Sequence, residues 1–277
     1  MIKRILVLLG ETASSAAARS CAYALAQDSN ATLTGFAGID ISNIEAPMPG
    51  FVGAAAYKSR MEEQLRQQAA ESCARTTQSF ESECRERVLG FELLSFEGDA
   101  KTAACDALET HDIAVAGHDA AFHGRARDDL SGLVEGLLSD GPRPVIVCAD
   151  TAPQFERVLV AYDGSVPSMR AVQMYVLLGL GRGRNMYVAS VAADEAAAVR
   201  RTSVAASYLR SHGYEPAEYP IVTSANPAEV LRSAVQDREI GMLVMGAYGR
   251  RGLKETLFGS TTTGLLAQPP CALFVHH

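Results

Sequence analysis

Glu156-Arg157-Val158-Leu159-Val160-Ala161-Tyr162 is an apolar run behind a basic residue. It leads through a polar turn into an Ala-rich amphipathic stretch, Ser168 to Leu180. Lys3-Arg4-Ile5-Leu6-Val7-Leu8-Leu9 has the same form about 150 residues earlier and leads into Ser14 to Gln27. The correspondence continues outward. Second strands read at Ala31 to Ala37 and Asn185 to Val191, with helical regions after them at Tyr57 to Val88 and Glu195 to His212. Third strands fit Gly90 to Phe96 and Tyr219 to Val222. Helices fit Asp99 to Thr110 and Asn226 to Asp237, the latter with Asn226 as cap and Pro227 in its first turn. Fourth strands fit Ile113 to Ala116 and Met242 to Met245, and last strands Val145 to Cys148 and Ala272 to Val275. Each half therefore reads βαβαβαβαβ, a repeat.

Strands alternating with helices make a mostly parallel sheet covered on both faces. Apolar runs without polar alternation fit strands buried on both sides. The chain has 277 residues, and one domain takes about 100–200. The expected division is 1–150 and 151–277, with the polar segment Asp150 to Phe155 between them. The apolar content of 48% and charged content of 21% are those of a globular chain. No stretch approaches the roughly 18 apolar residues of a membrane span. The first apolar run stops at Gly10-Glu11, too early for a signal peptide, and reads as a buried strand. The final strands are apolar edges that need cover, so the halves are expected to pair within one chain as a pseudo-dimer, with a homodimer open.

The net charge of −7 is unevenly spread. Residues 1–150 hold 13 Lys/Arg against 22 Asp/Glu, net −9, and residues 151–277 hold 12 against 10, net +2. So acidic a chain argues against nucleic acid, but the second half is compatible with a small anion. Six scattered cysteines lack metal spacing and read as reduced core residues in a cytoplasmic protein.

Ligands of an open α/β sheet bind beyond the carboxyl ends of the strands, where the strand order reverses. In the second half those ends are Ala161-Tyr162-Asp163-Gly164-Ser165 and Met245-Gly246-Ala247-Tyr248-Gly249, followed by Gly259-Ser260-Thr261-Thr262 at the start of the last helix. The pattern is Gly-x2-Gly-x9-Gly-Ser. Glycines admit close backbone approach to a phosphate or ribose. A helix start with hydroxyls offers free N–H groups and a positive dipole end. Arg250, Arg251 and Lys254 add charge between them, as phosphate contacts or as a solvated loop. Asp163 is placed to accept from an adenine amino group or a ribose hydroxyl, or simply to cap the following helix.

These residues resemble the universal stress protein family, and the chain is similar to a tandem member. Gly246, Gly249, Gly259 and Ser260 match that family's ATP-binding signature, and Asp163 its adenine-side Asp. The resemblance implies two Rossmann-like domains of the adenine nucleotide alpha hydrolase-like type. It implies that Ala161, Tyr162 and Val191 line the adenine, that Met245 lies beside the first glycine, and that Thr261 and Thr262 help Ser260 hold phosphates. It further implies a stress-response regulator that binds ATP, with or without Mg, and signals through a protein partner. Slow ATP hydrolysis or adenylation, and a nucleotide-free interaction module, are the alternatives. No catalytic residue is assigned.

The first half departs from the pattern. Leu9-Gly10-Glu11-Thr12 lacks the Asp, and Gly117-His118-Asp119-Ala120-Ala121 lacks the second glycine. Leu130-Ser131-Gly132-Leu133 replaces the Gly-Ser step, and Asp119, Asp128 and Asp129 oppose phosphate. This half is expected to have lost nucleotide binding. His118 and His123 are too loosely spaced for a metal site. Glu62 to Arg87 reads as a solvated helix face. Gly179-Leu180-Gly181-Arg182-Gly183 follows a helix and reads as its terminating turn, and His276-His277 as a frayed end.

Overall fold

The computed structural model describes residues 1–44, 54–122, 132–247 and 260–277. The first half runs β1 (Arg4–Leu8), α1 (Ala13–Ser29), β2 (Thr32–Asp40), α2 (Ile41–Ile44), α3 (Ala54–Glu86), β3 (Phe91–Gly98), α4 (Ala100–Leu108), β4 (Ile113–Gly117), α5 (Gly132–Asp140) and β5 (Val145–Cys148). The second runs β6 (Arg157–Ala161), α6 (Val166–Leu177), β7 (Asn185–Ala192), α7 (Glu195–Ser211), β8 (Ala217–Val222), α8 (Pro227–Asp237), β9 (Met242–Gly246), α9 (Ser260–Ala267) and β10 (Ala272–His276). Helix starts follow side-chain chemistry. Thr12, Asp99, Ser165, Asp194 and Asn226 each accept a backbone N–H of the first turn.

Among the described residues the strands form a single ten-stranded sheet in the order β3-β2-β1-β4-β5-β10-β9-β6-β7-β8. Each half thus repeats one local order. Every strand pairing in this sheet is parallel except β5 with β10, which run antiparallel with Ile146 opposite Phe274. The two apolar last strands cover one another, as expected from their composition.

One face of the sheet carries α1, α3, α6 and α7 over a core that includes Val7, Phe80, Val160, Tyr175 and Phe274. The other carries α4, α5, α8 and α9 over Leu8, Leu108, Leu159, Leu243 and Leu266. Both cores continue across the β5–β10 seam. The Tyr175 ring meets that of Phe274 edge-on at 5.3 Å, and Arg184 of the second half pairs with Asp28 of the first at 2.6 Å.

Two expectations are corrected. Helix α3 is not only a solvated face: Ala69, Thr76, Phe80 and Cys84 form a buried stripe along it. His276 is not frayed, since it belongs to β10 and its carbonyl accepts from Ala247 N at 2.8 Å. The glycine-rich segment after α6 is a terminating turn, with Gly179, Gly181 and Gly183 all at φ near +70° to +75°. Asp128, Asp129, His123, Leu130 and Ser131 lie outside the described residues. Among those described, no helix is long and apolar enough to cross a membrane.

Candidate functional site

Strand order places the site. From β6 the chain moves outward to β7 and β8, then crosses back to β9 on the other side of β6. The order reverses between β6 and β9, so a crevice opens beyond their carboxyl ends. Ala161 closes β6 and Gly246 closes β9.

Beyond β6, Asp163-Gly164-Ser165 turns into α6. One Asp163 carboxylate oxygen accepts from Ser165 N at 2.8 Å, and Gly164 takes φ +80°. Ser165 Oγ then accepts from Ser168 N at 3.2 Å. Asp163 therefore does cap the turn with one oxygen, and it stays half-buried at the mouth of the crevice.

Beyond β9, Gly246 meets α6. A Cβ there would lie 2.6 Å from Ser168 N and 2.7 Å from the Pro167 carbonyl carbon. The glycine lets the helix start sit against the strand end. Gly117 does the same for α1, where a Cβ would lie 2.8 Å from Ser15 N. Helix α9 opens at Ser260 over this point, and buried Thr262 donates its hydroxyl to Gly246 O at 3.4 Å. Thr262 is thus turned to the backbone and not to the phosphate expected from its place in the motif. Thr261 is half-buried.

Ala161, Val191 and Met245 pack on the face of α8 and α9. Tyr162 packs on the opposite face with α6 and α7, because successive side chains of a strand alternate. Two of the three expected base-lining residues, Ala161 and Val191, therefore share a wall with Met245, and Tyr162 does not. Gly249, Arg250, Arg251, Lys254 and Gly259 lie outside the described residues.

Two neighbours were not legible in the sequence. The Ser190 hydroxyl is buried without a hydrogen-bond partner among the described residues. The Arg201 stem runs along Gly164, about 3.5 Å from where a Cβ would stand. Neither residue lies in a local motif; only the packing of α7 on β7 brings them there.

In the first half the crevice end of α1, the counterpart of α6, is filled from within. Asp119 is buried and accepts from Thr12 Oγ1 at 2.8 Å and from the Ser14 hydroxyl, at the start of α1. An internal carboxylate thus meets the positive end of the helix. Gly10 stands where Asp163 does, two residues before the helix cap, and Glu11 beside it is bonded outward to Arg75 and Ser72 at 2.8 Å each, which holds its carboxyl below its usual range. His118 Nδ1 stands 3.9 Å from Asp150, and no group of three or more His, Cys, Asp or Glu side chains is placed to hold a metal among the described residues.

This arrangement has relatives. Residues 154–277 match the model of the universal stress protein family. The match covers 124 of the 277 residues, the second half of the chain. A universal stress protein of Synechocystis, Slr1230, is 25% identical over 143 residues, which are 51% of this chain and 49% of the relative. The chain thus spans about half the length of the curated relative it matches. The crystal structure of a universal stress protein from Archaeoglobus fulgidus aligns over 99% of this chain and 97% of its own, with TM-score 0.64 and 18% identity. A functionally unknown protein of Pseudomonas aeruginosa, PA1789, aligns over 99% and 92%, with TM-score 0.58 and 16% identity. Those two likenesses carry the fold across the whole chain.

Proposed function

We propose that this chain is a universal stress protein that binds ATP or a related adenine nucleotide in its second half and acts as a cytoplasmic stress-response regulator through a protein partner. The observation that carries the reading is one juxtaposition. Asp163 at the end of β6, Gly246 at the end of β9 and the start of α9 meet at a single switch point. An acceptor for a base or ribose stands on one side and a helix dipole suited to phosphate on the other. The spacing Gly246, Gly249, Gly259, Ser260 supports the same end for the phosphates. Residues 1–150 and 151–277 are read as two domains, the first degenerate because it lacks the Asp, the second glycine and the Gly-Ser step, and because Asp119 brings a buried carboxylate to its crevice at the start of α1.

Equilibrium titration with ATP tests this. The wild type should bind, and Gly259→Glu and Asp163→Ala should weaken binding at least tenfold. No binding at millimolar ATP overturns the reading. Steady-state assay with Mg-ATP tests the regulator role, because turnover at ordinary enzyme rates of about 1–1000 per second would make the protein a hydrolase instead.

A further inference from the structure

The corner where the two halves meet beyond β10 concentrates positive charge. His276 pairs with Gly246 across β10 and β9. On its other side the antiparallel register sets Val275 opposite Val145, so Arg143 and Pro144 of the first half run beside His276 and His277. Helix α6 adds Arg170. Two nitrogens here, Arg143 Nε and His276 Nδ1, are buried without a hydrogen-bond partner among the described residues. A buried donor left unmade costs on the order of 1–3 kcal/mol. Among the described residues Asp140 lies next to His277, and Lys101 Nζ already holds it at 2.5 Å. Burial, with the positive charges of His277, Arg170 and Arg143, pushes the His276 imidazole down to about 4.

A buried imidazole near two guanidinium groups, beside an unmatched donor, is an arrangement that an anion completes. Guanidinium forks match the oxygens of a phosphate group. We propose that this corner is a phosphate-binding site built by both halves, with Arg143 from the first and Arg170 and His276 from the second. It goes beyond the nucleotide reading and stands without it. The phosphate is either free or the far end of a nucleotide, since β10 lies one strand spacing, about 4.8 Å, from β9.

The test follows the His276 ring by NMR, assigned with His276→Asn, as inorganic phosphate is added at constant ionic strength against chloride. Phosphate should raise the ring's titration midpoint by one pH unit or more. Arg143→Gln and Arg170→Gln should remove most of that rise, and Arg143→Lys should keep part of it while preserving the charge and the fold. Lys101→Gln should leave it in place. A midpoint that phosphate and chloride leave alike, or a full rise in Arg143→Gln, overturns the site. If ATP raises the midpoint and adenosine does not, the phosphate is the nucleotide's. If only inorganic phosphate does so, the site takes the free ion. Failure of the nucleotide reading looks different: ATP binds nowhere while the phosphate response persists.

Discussion

At the scale of single residues, the glycines at strand ends carry a different burden from the one their motif suggests. The motif makes Gly246 an approach point for phosphate, yet its missing Cβ is needed by Pro167 and Ser168 of α6. Gly117 has the same relation to Ser14 and Ser15, although its half lacks the rest of the motif. The contacts are with backbone, which cannot rotate away, so Gly246→Ala and Gly117→Ala should each cost about 1–3 kcal/mol in urea unfolding. Gly132 has open space around a Cβ and lies at the start of α5. Gly132→Ala should therefore be neutral or stabilising by up to about 1 kcal/mol. If Gly246→Ala is as stable as the wild type, the packing role is wrong. A motif records residue types at spacings, and one glycine satisfies helix approach and ligand approach with the same letter. The capping oxygen of Asp163 was legible for the opposite reason: the turn Asp163-Gly164-Ser165 is local, and its chemistry is written in consecutive residues. Arg201 reaches Gly164 from α7 and Ser190 lies on β7, and nothing in their sequence neighbours marks either.

At the scale of elements, periodicity sufficed for the strands and nearly sufficed for the helices. Helix α3 is the instructive exception. Its abundant charges suggested a solvated face, and several form i,i+4 pairs, such as Arg85 with Glu81 at 3.0 Å. Beneath them Phe80 is fully buried against Tyr23 and Phe91. A half-buried helix needs only a narrow apolar stripe, and small residues such as Ala69, Thr76 and Cys84 fill most of this one. Phe80→Ala should cost about 3–5 kcal/mol, whereas Arg85→Ala should stay within about 1 kcal/mol. Comparable losses in the two variants, measured by urea unfolding, would show that the charges and not the stripe hold the helix. A second link between elements depends on pH. His111 Nδ1 is 2.6 Å from Ala107 O, which only accepts, so Nδ1 carries the proton and Nε2 accepts from Thr34 Oγ1 at 2.8 Å. Burial lowers the pKa of this ring below its ordinary 6.5. The unfolded chain therefore takes up the proton first as pH falls. The contribution of neutral His111 is fully present above about pH 6.5 and declines below it. His111→Gln should be less stable than the wild type at pH 7.5, and the gap should narrow toward pH 5. A gap independent of pH would remove His111 from the acid response.

At the scale of the whole molecule, the seam decides how the halves behave. Composition showed that Val145 to Cys148 and Ala272 to Val275 needed covering, and the structure joins them in one sheet. What composition could not show is that both cores run through the join. Ile146 and Phe274 belong to one of them, and Val145, Val147, Leu273 and Val275 to the other. Tyr175 of α6 packs on Phe274, while α1 and β5 complete the same layer from the first half. Separate cores would melt separately, but a shared core couples their unfolding. The chain should therefore unfold in one transition, with calorimetric and van't Hoff enthalpies equal. Phe274→Asp sets a charge in the middle of the seam, opposite Ile146, where no partner waits. It should lower the first melting temperature by many degrees and split the transition in two. The first half lacks the proposed nucleotide site, so ATP should then raise only the step belonging to residues 151–277. Two transitions already present in the wild type would mean that the halves fold as independent units and that β5–β10 pairing is a contact between them, not a common core.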